Sequence, residues 1–155
     1  MSIDWQAVAA DFTRDGALRD IYIYQTDAAD WERAFSTIRS LATNIQYRCG
    51  DHVLPLPASF GDPHEFGRQL TFRVGNICFQ CRFFQDLEIE FDFWPYLLTG
   101  QADLDDLLAF IQQLGYSIGK PVVVCPENCP ESPILRYDPE SCSVVFIPCA
   151  RTGRA

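Results

Sequence analysis

Four groups of residues in this chain have types and spacings that could do chemistry. Cys78-Phe-Gln-Cys81 and Cys125-Pro-Glu-Asn-Cys129 carry thiols at separations suggestive of structural zinc. Cys49-Gly-Asp-His52 sets a nucleophile near a base, and Glu88-Ile-Glu-Phe-Asp92 lines up three carboxyl groups. Zinc needs thiolate or imidazole ligands that converge on one point. Residues three apart on an extended strand point to opposite faces, so Cys78 and Cys81 cannot share an ion without a knuckle. No glycine lies between them to make one. Cys125 and Cys129 would suit a redox pair if a helix began there, because a helix start acidifies a thiol. Pro126 and Pro130 leave little room for that helix, and the three-residue spacer departs from the two-residue redox motif. The composition favours a turn.

Cys49 and His52 form the best catalytic candidate, since a Gly-Asp turn can bring nucleophile and base within hydrogen-bond reach. Gly50-Asp51 reads more plainly as an ordinary turn between two strands. His64 has no evident partner. The sequence holds no glycine-rich phosphate loop, nucleophile elbow or metalloprotease helix. The expectation is therefore no catalytic residue, no bound metal and no cofactor. The seven cysteines are odd in number and follow a start without a basic, apolar leader, which argues against a disulfide framework. Packing as small hydrophobes accounts for most of them.

The carboxyl groups carry more information. Residues 86–140 contain eleven acids against two bases, Lys120 and Arg136, and so hold the whole net charge of −9. A surface of that sign repels phosphate backbones and attracts basic proteins, which excludes nucleic acid and favours a basic partner. Solubility alone is the plainer use of such charge. No run approaches the roughly 18 apolar residues that span a bilayer, and a cytoplasmic location is expected. With 155 residues, 48% apolar and 21% charged, the chain matches one globular domain over 1–155.

The elements that must position these groups follow from periodicity. Trp5, Val8, Ala9 and Phe12 recur at helical spacing, and Gly16 is a stop. Ile21–Tyr24 reads as a strand, and Thr26 or Asp27 caps a helix with the stripe Trp31, Ala34, Phe35, Ile38 and Leu41. Asn44–Cys49 and His52–Leu56 read as short strands, followed by an irregular stretch through Pro57, Gly61 and Pro63.

Gly75-Asn76 sits between two alternating runs, a strong hairpin signal that pairs Val74 with Ile77, Phe72 with Phe79 and Leu70 with Cys81. A three-residue loop, Phe84-Gln85-Asp86, would then set Phe83 opposite Leu87 and Cys81 opposite Ile89. Arg82 would face Glu88, Gln80 would face Glu90 and Cys78 would face Asp92. One face becomes apolar, with Leu87, Ile89, Phe91 and Phe93 joining the phenylalanines. The other carries Gln69, Thr71, Arg73, Cys78, Gln80, Arg82 and the three acids, either as a solvated face or as a docking surface. Gln101–Gly115 is predicted as a helix with the stripe Leu104, Leu107, Leu108, Ile111 and Leu114. Lys120–Cys125 is a strand, and Ile134–Tyr137 with Ser143–Ile147 closes a hairpin around Asp138-Pro139. The resulting fold class is α+β. It has a single antiparallel sheet, its edge open to mixed pairing, a three-strand meander at 69–93, and helices packed on one face.

Several of these segments together resemble small acidic bacterial immunity-type proteins, α+β domains that neutralise a toxin delivered between cells. The matching residues are Glu88–Asp92, Leu114-Gly115, Val122–Val124, Pro126-Glu127-Asn128 and Tyr137-Asp138-Pro139, over about residues 70–140. Cys125 and Cys129 depart from that pattern. The resemblance implies a non-enzymatic binding protein whose partner, a candidate toxin, is basic. The residues expected to meet it are Glu88, Glu90, Asp92, Glu127 and Glu131. A small cysteine-dependent enzyme or redox protein is the alternative, as is a structural subunit that buries this face in a homodimer.

Overall fold

A computed structural model describes residues 2–58, 67–82 and 87–148. The chain opens with a short helix α1 (Trp5–Val8), whose N-terminus Asp4 caps, and a 3-10 turn (Ala9–Phe12). Nine strands follow among the described residues: β1 (Arg19–Tyr24), β2 (Thr43–Cys49), β3 (His52–Leu54), β4 (Arg68–Val74), β5 (Ile77–Arg82), β6 (Glu88–Phe93), β7 (Val122–Pro126), β8 (Leu135–Asp138) and β9 (Ser143–Phe146). Helix α2 (Ala28–Leu41) lies between β1 and β2, and α3 (Gln101–Ile118) between β6 and β7. The strands form one sheet in the order β3-β2-β4-β5-β6-β1-β7-β8-β9. Among the described residues every pairing is antiparallel and no mixed edge forms.

Side-chain alternation places the helices. Along β4, β5 and β6, Leu70, Phe72, Val74, Ile77, Phe79, Cys81, Ile89, Phe91 and Phe93 are all buried. Helix α2 contributes Trp31, Ala34, Phe35 and Ile38 to the core, and α3 contributes Leu104, Leu107, Ile111 and Leu114. Phe110, absent from the predicted stripe, stands at the centre of the aromatic cluster. Its ring lies 4.8 Å from Phe79, 5.5 Å from Phe72 and 5.7 Å from Phe91. Each such ring contributes about 1.5–3 kcal/mol through burial. Leu41, at the end of its helix, is exposed instead.

The first hairpin has the expected register, with Val74 opposite Ile77 and Leu70 opposite Cys81. The second does not. Gln80 faces Asp92 and Cys81 faces Phe91, a slip of two residues from the expected partners Glu90 and Ile89. A two-residue slip leaves every side chain on its own face, so burial alone cannot choose between the two registers. Packing chooses: Phe93 meets Phe79 at 5.4 Å and Phe12 at 6.4 Å, while Leu87 is left 68% exposed. Phe83 and the loop Phe84-Gln85-Asp86 lie outside the described residues, as do Gly61, Pro63 and His64.

The helix ends explain their own positions. Asp27 and Asp30 form a reciprocal capping box at the start of α2, and Gly119 takes the left-handed conformation that ends α3. Helix α3 thus runs three residues past the predicted end at Gly115. Lys120 joins the two helical segments by donating to Gln25 O and to the Asp30 carboxylate.

Candidate functional site

Strand β6 is fifth of nine, so its solvent-facing residues occupy the middle of the face that the helices leave open. Glu88, Glu90 and Asp92 alternate with the buried Ile89, Phe91 and Phe93 and therefore point to that face. Strand β1 lies alongside with matching alternation. Asp20 pairs with Asp92, Tyr22 with Glu90 and Tyr24 with Glu88. On the far side of β1, Asp20 pairs with Cys125 and Tyr22 with Val123 of β7. Five polar side chains of one sign or polarity thus sit beside a sixth, Asp20, which sequence reasoning passed over. The pattern Asp20-Ile-Tyr-Ile-Tyr24 signals three polar positions on one flank of a strand, yet it carries no information about which strand lies next to it.

The segment after β7 folds back over this face. Asn128, at φ +56°, donates its backbone N–H to Asp20 Oδ2 at 2.9 Å, and Tyr22 Oη donates to the same oxygen at 2.8 Å. Cys125 Sγ lies 3.8 Å from Pro130 O. Tyr22, Val123 and Cys125 form a small second buried cluster on this otherwise polar face. The Pro126-Glu127-Asn128 turn is therefore tied to the acidic centre by the Asn128 N–H and to the chain before β1 by the Glu127 N–H, which donates to Leu18 O.

The predicted partner-binding residues divide by accessibility. Glu131 is exposed, and Glu88, Glu90 and Glu127 are half-buried. Asp92 is 8% exposed, deeper than a docking residue needs to be. Glu127 nevertheless lies close enough to raise the Asp92 carboxyl, and Glu131 acts the same way on Cys125. Compensation is sparse. Arg82 Nη1 stands 3.7 Å from Asp92 Oδ2, whereas Arg73 is on β4, two strands away, with its Nε buried and unbonded. Burial, helped by Asp20, Glu88 and Asp92 and opposed by Arg82, raises Glu90 to about 7. Burial likewise raises Asp92 to about 6 against the pull of Arg82. Tyr22 is pushed up by burial and by its bond to Asp20, and Tyr24 reaches about 12 for want of solvent.

The cysteine candidates separate. Cys78 is exposed on the open face opposite Arg73, and Cys81 is buried on the helix face opposite Leu70. Cys125 is buried and Cys129 half-buried, with burial driving the Cys125 thiol up to about 12. Cys49 and His52 face each other across the Gly50-Asp51 turn. Among the described residues, His52 has no hydrogen bond to orient it as a base. Also among the described residues, no three His, Cys, Asp or Glu side chains are grouped so as to hold a metal ion. No described helix is long and apolar enough to cross a membrane.

What this arrangement can do is hold positive charge. Among the described residues it offers several carboxyl groups in partial desolvation with Arg82 beside them. Comparison of the chain with protein-family models, with curated proteins and with solved structures yields no match.

Proposed function

We propose that this chain is a non-enzymatic binding protein that receives a basic protein partner on its open sheet face. A toxin neutralised by an immunity-type protein is the partner that the sequence resemblance implies. The observation that carries the reading is the position of β6. Its acids lie at the middle of the face that the described helices leave open, flanked by Asp20 and Glu127, with Arg82 set against Glu90 and Asp92. Charge concentrated in the middle of a face steers an oppositely charged partner and sets its orientation. Tyr24, exposed and stacked at 5.5 Å on the buried Tyr22, adds apolar area beside the acids.

The test begins with the gene next to the one encoding this chain. Its product is expressed alone and together with this chain, and association of the purified pair is followed at low and high salt. Suppression of toxicity is expected, together with an on-rate that falls with salt and falls about tenfold or more in Glu88→Lys/Glu90→Lys. Association indifferent to both charge reversals would sink the proposal.

A further inference from the structure

Two carboxyl groups face each other across the β1–β6 ladder in unlike surroundings. Asp20 is 3% exposed and Asp92 8%. Asp20 Oδ2 accepts from Tyr22 Oη and from the Asn128 backbone N–H. Asp92 Oδ1 is buried and accepts no hydrogen bond, and its other oxygen has only the half-exposed Arg82 at 3.7 Å. A buried carboxyl oxygen that no donor reaches favours the protonated form of its own group, here Asp92. Among the described residues, Glu127 beyond β7 also bears on Asp92, and Asp20, Glu88 and Asp92 bear on Glu90, with Arg82 opposing at both. Tyr22, Tyr24 and Cys125, on β1 and β7, are held in their neutral forms.

We infer that the free protein stores a proton in this carboxyl cluster and releases it when a cationic side chain docks, so that capture of a basic partner is coupled to deprotonation. The inference rests on the docking reading above. The bond that breaks is a carboxyl O–H of Glu90 or Asp92. Its proton passes to solvent buffer, and the partner's guanidinium or ammonium replaces it as the counter-charge. The raised values of Glu90 and Asp92, about 7 and about 6, put the exchange near neutral pH. A cation binds the deprotonated form, so affinity rises between about pH 6 and 8 and levels off above. For a group near 7 in the free protein and near its ordinary value in the complex, the rise is about tenfold.

Calorimetric titration of the full chain with a hexa-arginine peptide, in phosphate and in Tris, reads the released proton as a buffer-dependent heat. A parallel carbon-13 NMR titration follows the carboxyl groups of the peptide-free protein. At about pH 6.5 the two buffers are expected to differ by the ionisation heat of about one proton, and above about pH 8.5 by none. Glu90→Gln combined with Asp92→Asn, which leaves neither position able to titrate, is expected to remove the difference. A peptide that binds with the same heat in both buffers, or Glu90 and Asp92 carbons that both titrate below about pH 5, overturns the coupling and leaves docking intact. A peptide that binds at no pH overturns both.

Discussion

Gly115 of α3 lies directly beneath the ring of Tyr137 on β8. A Cβ built on this glycine would overlap the ring, and Tyr137 is itself 1% exposed. The absence of a side chain lets the helix settle onto the far half of the sheet. It also explains why a residue that costs about 1 kcal/mol inside a helix is kept there.

Gly115→Ala is therefore expected to destabilise the protein by about 1–3 kcal/mol through overpacking, although alanine is the better helix former. Urea unfolding measures it. Adding Tyr137→Leu should recover part of the loss, because the two positions are in contact and their effects will not add. A more stable Gly115→Ala would show that the close approach does not exist.

Asp103 links the meander to α3. Its carboxylate accepts from the Thr99 backbone N–H at 2.8 Å, the Thr99 hydroxyl at 2.9 Å and Asn76 Nδ2 at 3.0 Å. The bond from the Thr99 backbone does most to hold this carboxyl below its ordinary value, with Asn76 adding to it against some burial. Asp103→Ala should cost about 2–3 kcal/mol at pH 7. Stability from a depressed carboxyl is present above the unfolded value, here 3.8, and is lost as pH falls through the folded one. The gap between parent and variant should accordingly narrow in acid. A gap that widens there contradicts the bonding described.

Glu90 and Asp92 work in the opposite sense. Their folded values, about 7 and about 6, lie above the ordinary 4.5 and 3.8. Between the ordinary and folded values the native state binds more protons than the unfolded chain, so stability falls as pH rises through that window. Glu90→Gln should flatten the profile and stabilise the protein at pH 8 by about 1–2 kcal/mol, a figure reduced for the screening of a half-exposed group. Thermal unfolding between pH 5 and 8 reads this directly. A destabilised Glu90→Gln at pH 8 is the outcome that speaks against it.

The thiols offer a chemical check on the binding reading. Cys78 and Cys142 are exposed, whereas Cys81 and Cys125 are buried and their thiols are pushed up by burial. Iodoacetamide labelling followed by peptide mass mapping should find Cys78 and Cys142 modified first. Cys81 and Cys125 should react only as fast as the protein opens. Rapid labelling of Cys125 below pH 8 would instead favour thiol chemistry at the Pro126 turn.

Much of this architecture is legible in one dimension because the forces that specify it are local or periodic. The Gly75-Asn76 bend, the alternation of QLTFRV and ICFQCR, the cap at Asp27 and the aspartates at the start of α3 all act within a few residues of themselves. The order of elements and the segregation of phenylalanines from acids follow from that. Register in the second hairpin is different, because alternation specifies pairing only to a multiple of two. Long-range contacts of Phe93 with Phe12 and Phe79 made the final choice.

The neighbours of β6 were likewise beyond the reach of pattern. Nothing in residues 19–24 states that they will lie between β6 and β7, far along the chain, so Asp20 could not be counted with Glu90 and Asp92 from the sequence. The sequence by itself determined which flank of its strand each side chain takes along the meander, since that depends on a period of two. Only the tertiary structure decided which acids crowd together and how deeply each is buried. Those properties arise from strand order and from a loop that folds back over the sheet.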